Sequence, residues 1–402
     1  MSTALPAALA NTEKPQPHSH GGASDGRGTT VPDASRAEWF TSYDVDAFEV
    51  PTGREEMWRF TPMKRLAGLH TGAESTGAAT VSVDAPAEVT VETVGREDER
   101  LGKAGVPADR IAAQAYSSFA EATVVTVGKE ARASAPVTLT IEGPGAGKVA
   151  YGHLAVRAEQ FAEATVVIDH RGSGTYADNV EFVLADGAKL TVVSIHDWAD
   201  DAVHVSSHHA SIGRDAVLKH TTVTLGGDLV RVSPTARFAD KGAEVDMSGV
   251  YFADAGQHFE LRTFVDHNQA NCTSNVVYKG ALQGEGAHAV WIGDVLIRAA
   301  AEGTQTYELN RNLLLTDGCR ADSVPNLEIE TGEIVSAGHA SATGRFDDEQ
   351  LFYLQARGIP EDQARRLVVR GFFHELIHKI AVPEVRERLE AAIEAELEAV
   401  GT

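Results

Sequence analysis

The sequence predicts a mainly β protein, with a β-solenoid core flanked by N-terminal and C-terminal helical regions. Two observations carry the core. From about Glu121 to Glu333 the chain is made of short runs rich in Val, Thr and Ile, such as EATVVIDHRGSG, AKLTVVSIHDW and CTSNVVYKGAL. Gly, Asp and Asn separate them, as expected of strands of about four to seven residues bounded by turns. Similar Gly/Asp-Ala turn exits fall at Ala164, Ala188, Ala216, Ala243 and Ala270, which are 24, 28, 27 and 27 residues apart. Stacked coils, each too small to bury its own interior face, produce such a recurrence. A β-sandwich with long loops stays open as the structural alternative. The third observation is the helical texture of the chain beyond Phe346.

Residues 1–35 are rich in Ala, Pro, Gly, Ser and Thr and carry no amphipathic period, so a disordered tail is expected. His18 and His20 lie in it as solvated groups. The region 36–120 reads as mixed and partly helical. Ser35 is placed to cap a short amphipathic segment with Trp39 and Phe40. Trp58, Phe60, Met63 and Leu66 cover one side of a helix-turn segment in GREEMWRFTPMKRL, with Arg54 and Arg59 flanking the aromatics. Strand-like alternation follows in ATVSVDAPAEVTVETV, then a helical run around Asp109 to Glu121. GPGAGK at Gly143 to Lys148 resembles a phosphate loop only in composition. Its spacing is short, and Val149 stands where Ser or Thr would hold magnesium, so a turn between strands is expected.

The solenoid core is expected over 121–345 and helices over 346–402. DDEQLFYLQARG should end at Gly358 in a C′ position. Pro360 starts a second helix and Pro383 separates it from a third. In the second, Leu367, Val368, Phe372, Leu376 and Ile380 form the expected apolar side, with Arg366, Arg370, His374 and His378 as a polar stripe. His374, Glu375 and His378 match H-E-x-x-H, which sets two zinc ligands one helical turn apart beside a general base. No third-ligand motif follows, so a zinc-dependent hydrolase is carried only as the alternative, together with a purely structural solenoid that binds other proteins.

Lys and Arg number 35 against 58 Asp and Glu, a net charge of −23, which argues against nucleic acid and anionic membrane partners. Two cysteines, Cys272 and Cys319, cannot build a disulfide framework and read as small buried residues before reactive thiols. The N-terminal apolar run has no Lys or Arg ahead of it, and no membrane-length apolar stretch occurs, so a cytoplasmic protein is expected. His196, His204, His208, His209 and His220 cluster in sequence, with His258, His267 and His288 further on. His204 and His208 face the same way on a strand, which leaves a metal site open, although scattered surface or hydrogen-bonded histidines are expected. Between Pro325 and Gly358 a single histidine, His339, sits in a run of Gly, Ser and Ala where another backbone or a ligand can approach closely.

Several segments together resemble one family. GREEMWRFTP (Gly53 to Pro62), HFELRTFVDHNQANCTSNVVYKGAL (His258 to Leu282), YELNRNLLLTDGCRADSVPNLEI (Tyr307 to Ile329), GHASATG (Gly338 to Gly344), LFYLQARGI and VVRGFF run in the order of the SufB/SufD scaffold family of the SUF iron–sulfur cluster assembly system. The low cysteine count makes the chain look like the SufD branch. The resemblance implies a right-handed parallel β-helix between helical regions and a scaffold that is not itself an enzyme. It implies pairing with a SufB chain through the β-helix, and docking of the SufC ATPase on residues 346–402. It further implies a homodimer when the chain is alone, and a transient iron–sulfur cluster at the SufB interface with His339 as candidate metal ligand. Reduced FAD in the complex is a weaker implication. Ala337 and Gly338 precede His339 where many SufD chains carry a nearby cysteine, so any thiolate ligand would have to come from another chain.

Overall fold

The computed structural model describes residues 39–346 and 348–399. The expectations for residues 1–35, including His18 and His20, lie outside the described residues. Strands make up 46% of the chain and wind into a parallel β-solenoid of about eight turns, with few flanking helices.

Two strands open the chain, β1 (Thr80–Asp84) and β2 (Val89–Val94), followed by helix α1 (Arg110–Ser118). Then come β3 (Ala122–Val127), β4 (Val137–Glu142), β5 (Val149–Ala158), β6 (Glu163–Gly172), β7 (Thr175–Leu184), β8 (Lys189–Trp198) and β9 (Val203–Ile212). Next are β10 (Val217–Thr224), β11 (Leu229–Phe238), β12 (Glu244–Ala253), β13 (His258–His267) and β14 (Thr273–Leu282). Last are β15 (His288–Ile297), β16 (Gln305–Leu314), β17 (Arg320–Ile329) and β18 (Ser336–Arg345). Helices α2 (Asp348–Ala356), α3 (Glu361–Ile377) and α4 (Pro383–Ala399) follow. The GPGAGK segment is the turn between β4 and β5, with Gly145 and Gly147 at positive φ.

From β3 onward successive strands alternate between two nine-stranded sheets, one ordered β1-β4-β6-β8-β10-β12-β14-β16-β18 and the other β17-β15-β13-β11-β9-β7-β5-β3-β2. Antiparallel β1 and β2 cover the outer edges of β4 and β3, and so cap the N-terminal end of the solenoid. At the other end β17 and β18 are the terminal strands of their sheets. Pro325 fits there, since an edge strand has backbone groups outside the ladder and tolerates a missing N–H.

The register refines the repeat. Ala162, Ala188, Ala216, Ala243, Cys272 and Thr304 precede strands paired in register and occupy equivalent turn exits. Ala188, Ala216 and Ala243 were aligned correctly, while Ala164 and Ala270 are each two residues off. Turn length varies from coil to coil, and composition alone does not reveal where the slack falls. In the lumen Tyr251 lies in register with Gly280 and Tyr278 with Gly249. A Cβ on Gly280 would sit 1.8 Å from Tyr251 Cε2, so glycine is needed where each ring crosses the next strand.

Both outer faces are covered. Trp58, Leu66, Leu69, Leu101, Ile111 and Phe119 pack on the β3–β5–β7–β9–β11 side. Arg231 lies over the Trp58 ring at 3.9 Å, and Thr61 donates to Glu260 at 2.6 Å. Asp109 caps α1 by accepting from the Ala112 N–H. The cap expected at Ser35 lies outside the described residues; what is described is the segment at Trp39 and Phe40. It is irregular chain whose Trp39 stacks on Phe264 at 5.3 Å, where the sheet surface offers more contact than a short isolated helix.

Helices α3 and α4 pack on the opposite sheet, against Val193, Ile195, Val223, Val250 and Phe252. The buried side of α3 is Ala364, Val369, Phe373, Leu376 and Ile377, and Ile380 follows in the same cluster beyond the helix. Leu367, expected inside, is exposed, and Val368 and Phe372 are only partly buried, so the apolar face is rotated by about one residue. Packing against a flat sheet selected Val369 and Phe373 over their neighbours. Gly358 has φ +85° and ends α2 in a Schellman arrangement, with Ile359 N–H bonded to Leu354 C=O and Gly358 N–H to Gln355 C=O. No described helix is long and apolar enough to cross a membrane.

Candidate functional site

His339 lies on β18, in register with Glu308 of β16, a residue buried inside the solenoid. In-register residues of parallel strands project to the same face, so His339 belongs to the lumen-facing row. It is nevertheless exposed, because no further coil covers β18 among the described residues. Beside it the lumen is polar. Asn312 donates to Ser323 at 3.0 Å and Thr343 at 3.3 Å, and Asn310 donates to the Tyr251 hydroxyl at 2.9 Å. Gly338, before His339, lies in register with Tyr307 on the other face of the strand, where a Cβ would touch that ring at 3.4 Å. The arrangement offers an exposed imidazole on the last coil, beside a packed, hydrogen-bonded lumen.

The H-E-x-x-H helix does not form a zinc site of that type. His374 and His378 are exposed with ring centroids 3.9 Å apart. Glu375 is turned to Lys279 of β14 at 3.0 Å and Lys379 at 3.6 Å. The Lys279 hydrogen bond, with its charge, holds the Glu375 carboxyl below its ordinary range, which makes it a poorer general base. No third ligand joins the pair among the described residues.

Of the expected surface or hydrogen-bonded histidines, the central ones are hydrogen-bonded and buried rather than on the surface. His170, His196, His204, His208 and His220 all point into the lumen. His204 and His208 do share a face, but His208 pairs with His220 at 2.9 Å, whereas His204 joins His170 and His196. Burial pushes His196 and His208 well below the ordinary imidazole range. Asp178 lies beside them. Burial raises its carboxyl, but its interactions with the neighbouring His170 and His204 imidazoles prevail and hold it well below the ordinary value. His170 was not singled out in the sequence. The signal was its place one coil before His196, with which it is in register.

Cys272 is buried, with its thiol pushed up by burial, and Cys319 is partly buried near the start of β17. Neither is in register with His339, whose partner on β16 is Glu308.

Among the described residues, then, the solenoid is capped at its N-terminal end and carries an exposed imidazole on the last strand at the other. Residues 139–372 match the family model described as SUF system FeS cluster assembly, SufBD core domain. The chain belongs to the SufBD family, a scaffold-type family of iron–sulfur cluster assembly. An iron–sulfur cluster assembly SufBD family protein of Mycobacterium tuberculosis is 66% identical over 371 residues, 90% of this chain and 94% of the relative. A counterpart in Mycobacterium leprae is 61% identical over 377 residues, 92% of this chain and 96% of the relative. The iron–sulfur cluster assembly protein SufD of Bacillus subtilis is 26% identical over 251 residues, 61% of this chain and 57% of the relative.

Proposed function

We propose that this chain is a SufD-type subunit of a cytoplasmic SUF complex, non-catalytic in itself, that pairs with a SufB-type solenoid through its open end. The carrying observation is His339, exposed on the lumen-facing row of terminal strand β18. A partner strand added along β17 and β18 would satisfy their outer backbone groups and extend the lumen. It would also place partner side chains beside His339. A nascent iron–sulfur cluster is the cargo of that junction. Imidazole and thiolate are both competent iron ligands, and the thiolate comes from the partner. Alone, the same edges would pair with a second copy.

Residues 346–402 form the docking region for a SufC-type ATPase in this reading. Phe352 and Tyr353 on α2 and Leu367 on α3 are 71%, 57% and 49% exposed, an apolar set beside the packed face of α3. Reduced flavin, if the complex carries it, would need a seat other than the groove beside the first coils. This surface groove of about 530 Å³, lined by Arg132, Glu163, Thr165, Lys189, Lys219 and Glu244, has no aromatic wall for an isoalloxazine ring.

Co-expression with SufB-type and SufC-type chains tests the reading. A stable complex is expected, and failure to co-purify would reject it. His339→Ala should leave the complex intact and lower its iron and acid-labile sulfide; unchanged cluster content would reject the ligand role.

A further inference from the structure

We propose that the lumen holds a structural metal site, a first-row divalent ion bound by His170, His196 and His204 on β6, β8 and β9. This site is separate from His339 and does not depend on cluster assembly. All three side chains have no measurable exposure, and one ligand atom from each can be chosen so that all lie within 4.8 Å of one another.

The hydrogen bonds around the rings sort their nitrogens. His170 Nδ1 faces the Ile195 carbonyl at 3.1 Å, His196 Nε2 faces Ser194 Oγ at 3.1 Å, and His204 Nε2 faces Asp178 Oδ1 at 3.2 Å. Each ring therefore has one nitrogen anchored by a carbonyl, hydroxyl or carboxylate oxygen, the arrangement that orients metal-binding imidazoles. The other three nitrogens are His170 Nε2, His196 Nδ1 and His204 Nδ1. His196 Nδ1 and His204 Nδ1 are 3.2 Å apart, close to the roughly 3.3 Å that two zinc–nitrogen bonds in a tetrahedron require. His170 Nε2 is buried without a hydrogen-bond partner, 3.6 Å from Asp178 Oδ2 and too far for one.

An ion among these atoms would give the orphaned nitrogen its partner, with Asp178 able to supply a carboxylate oxygen as the fourth ligand. Trp198 Nε1, which donates to His204 Nδ1 at 3.0 Å, is the group it would displace. Tyr176 and Trp198 wall the site, with ring centroids 5.4 Å and 5.0 Å from His204. Nitrogen and carboxylate donors suit zinc or ferrous iron, and the enclosure requires loading during folding.

The test uses the full-length chain. Elemental analysis after dialysis against a chelator should find about one ion per chain in the native protein, released on denaturation. Refolding with cobalt(II) should give visible d–d absorption. X-ray absorption should show imidazole nitrogens at about 2.0–2.1 Å. His170→Gln with His204→Gln should reduce retained metal at least about tenfold, while His339→Ala and His374→Gln retain it. No ion in the isolated chain or after refolding with zinc, ferrous iron or cobalt would overturn the proposal. So would sulfur ligation, or full retention in the double variant. If that variant does not fold, the absorption spectrum of the unaltered chain still decides.

Discussion

Lys279 on β14 reaches Glu375 on α3, Nζ to Oε2 at 3.0 Å, and the same ammonium donates to the Phe372 carbonyl at 3.2 Å. The pair fastens the C-terminal helices to the solenoid and takes the glutamate of the H-E-x-x-H motif away from its histidines. Its halves are unequal, since the Lys279 side chain is 7% exposed and that of Glu375 is 61%. Glu375→Gln should cost no more than about 1 kcal/mol. Lys279→Ala, which also loses the buried stem and the carbonyl bond, should cost about 1–3 kcal/mol. Thermal unfolding separates the two, and an unchanged midpoint in Lys279→Ala would show that apolar contacts alone hold α3.

Acid should destabilise the fold before ordinary carboxylates titrate. Burial depresses His220 to about 4 and His267 to about 3, from 6.5. Between those values the unfolded chain binds protons that the folded chain excludes, so stability is present above about pH 6.5 and is lost as pH falls toward the folded values. His220 alone contributes about 3 kcal/mol across its window. Urea midpoints from pH 7.5 to 4 should fall steadily, and His267→Gln should flatten that limb. A flat profile in the unaltered protein would contradict the burial of these rings.

Phe352→Ala with Leu367→Ala should leave the unfolding midpoint within about 0.5 kcal/mol, because both side chains face solvent. The same pair should weaken binding of a SufC-type ATPase at least about tenfold, as loss of apolar anchors does at a docking face. Calorimetric titration measures it, and undiminished affinity would move the docking face elsewhere.

The two thiols should behave differently. Cys272 occupies an alanine position of the coil and is buried, whereas Cys319 is partly accessible. In the native protein a thiol reagent should label Cys319 at least about tenfold faster than Cys272, whose thiol is both less accessible and pushed up by burial. Equal rates would show that the coil at β14 opens readily.

The sequence by itself determined the strand-rich core, its coil period, the breaks at Gly358, Pro360 and Pro383, and the segments that mark the family. These are local signals, carried by β-branched runs, turn residues and side-chain periodicity. Tertiary structure decided the phase: Ala162 and Cys272 rather than Ala164 and Ala270 at the turn exits, and Val369 rather than Leu367 beneath α3. It also decided that His170, His196 and His204 meet, and that Lys279 claims Glu375. Alternation along a strand says which residues share a face, but contact across coils depends on how each turn takes up its extra residues. That choice is made by packing between segments far apart in the chain. His339 shows both halves: its sequence neighbours drew attention to it, and only its place on the last, uncovered coil makes it reachable.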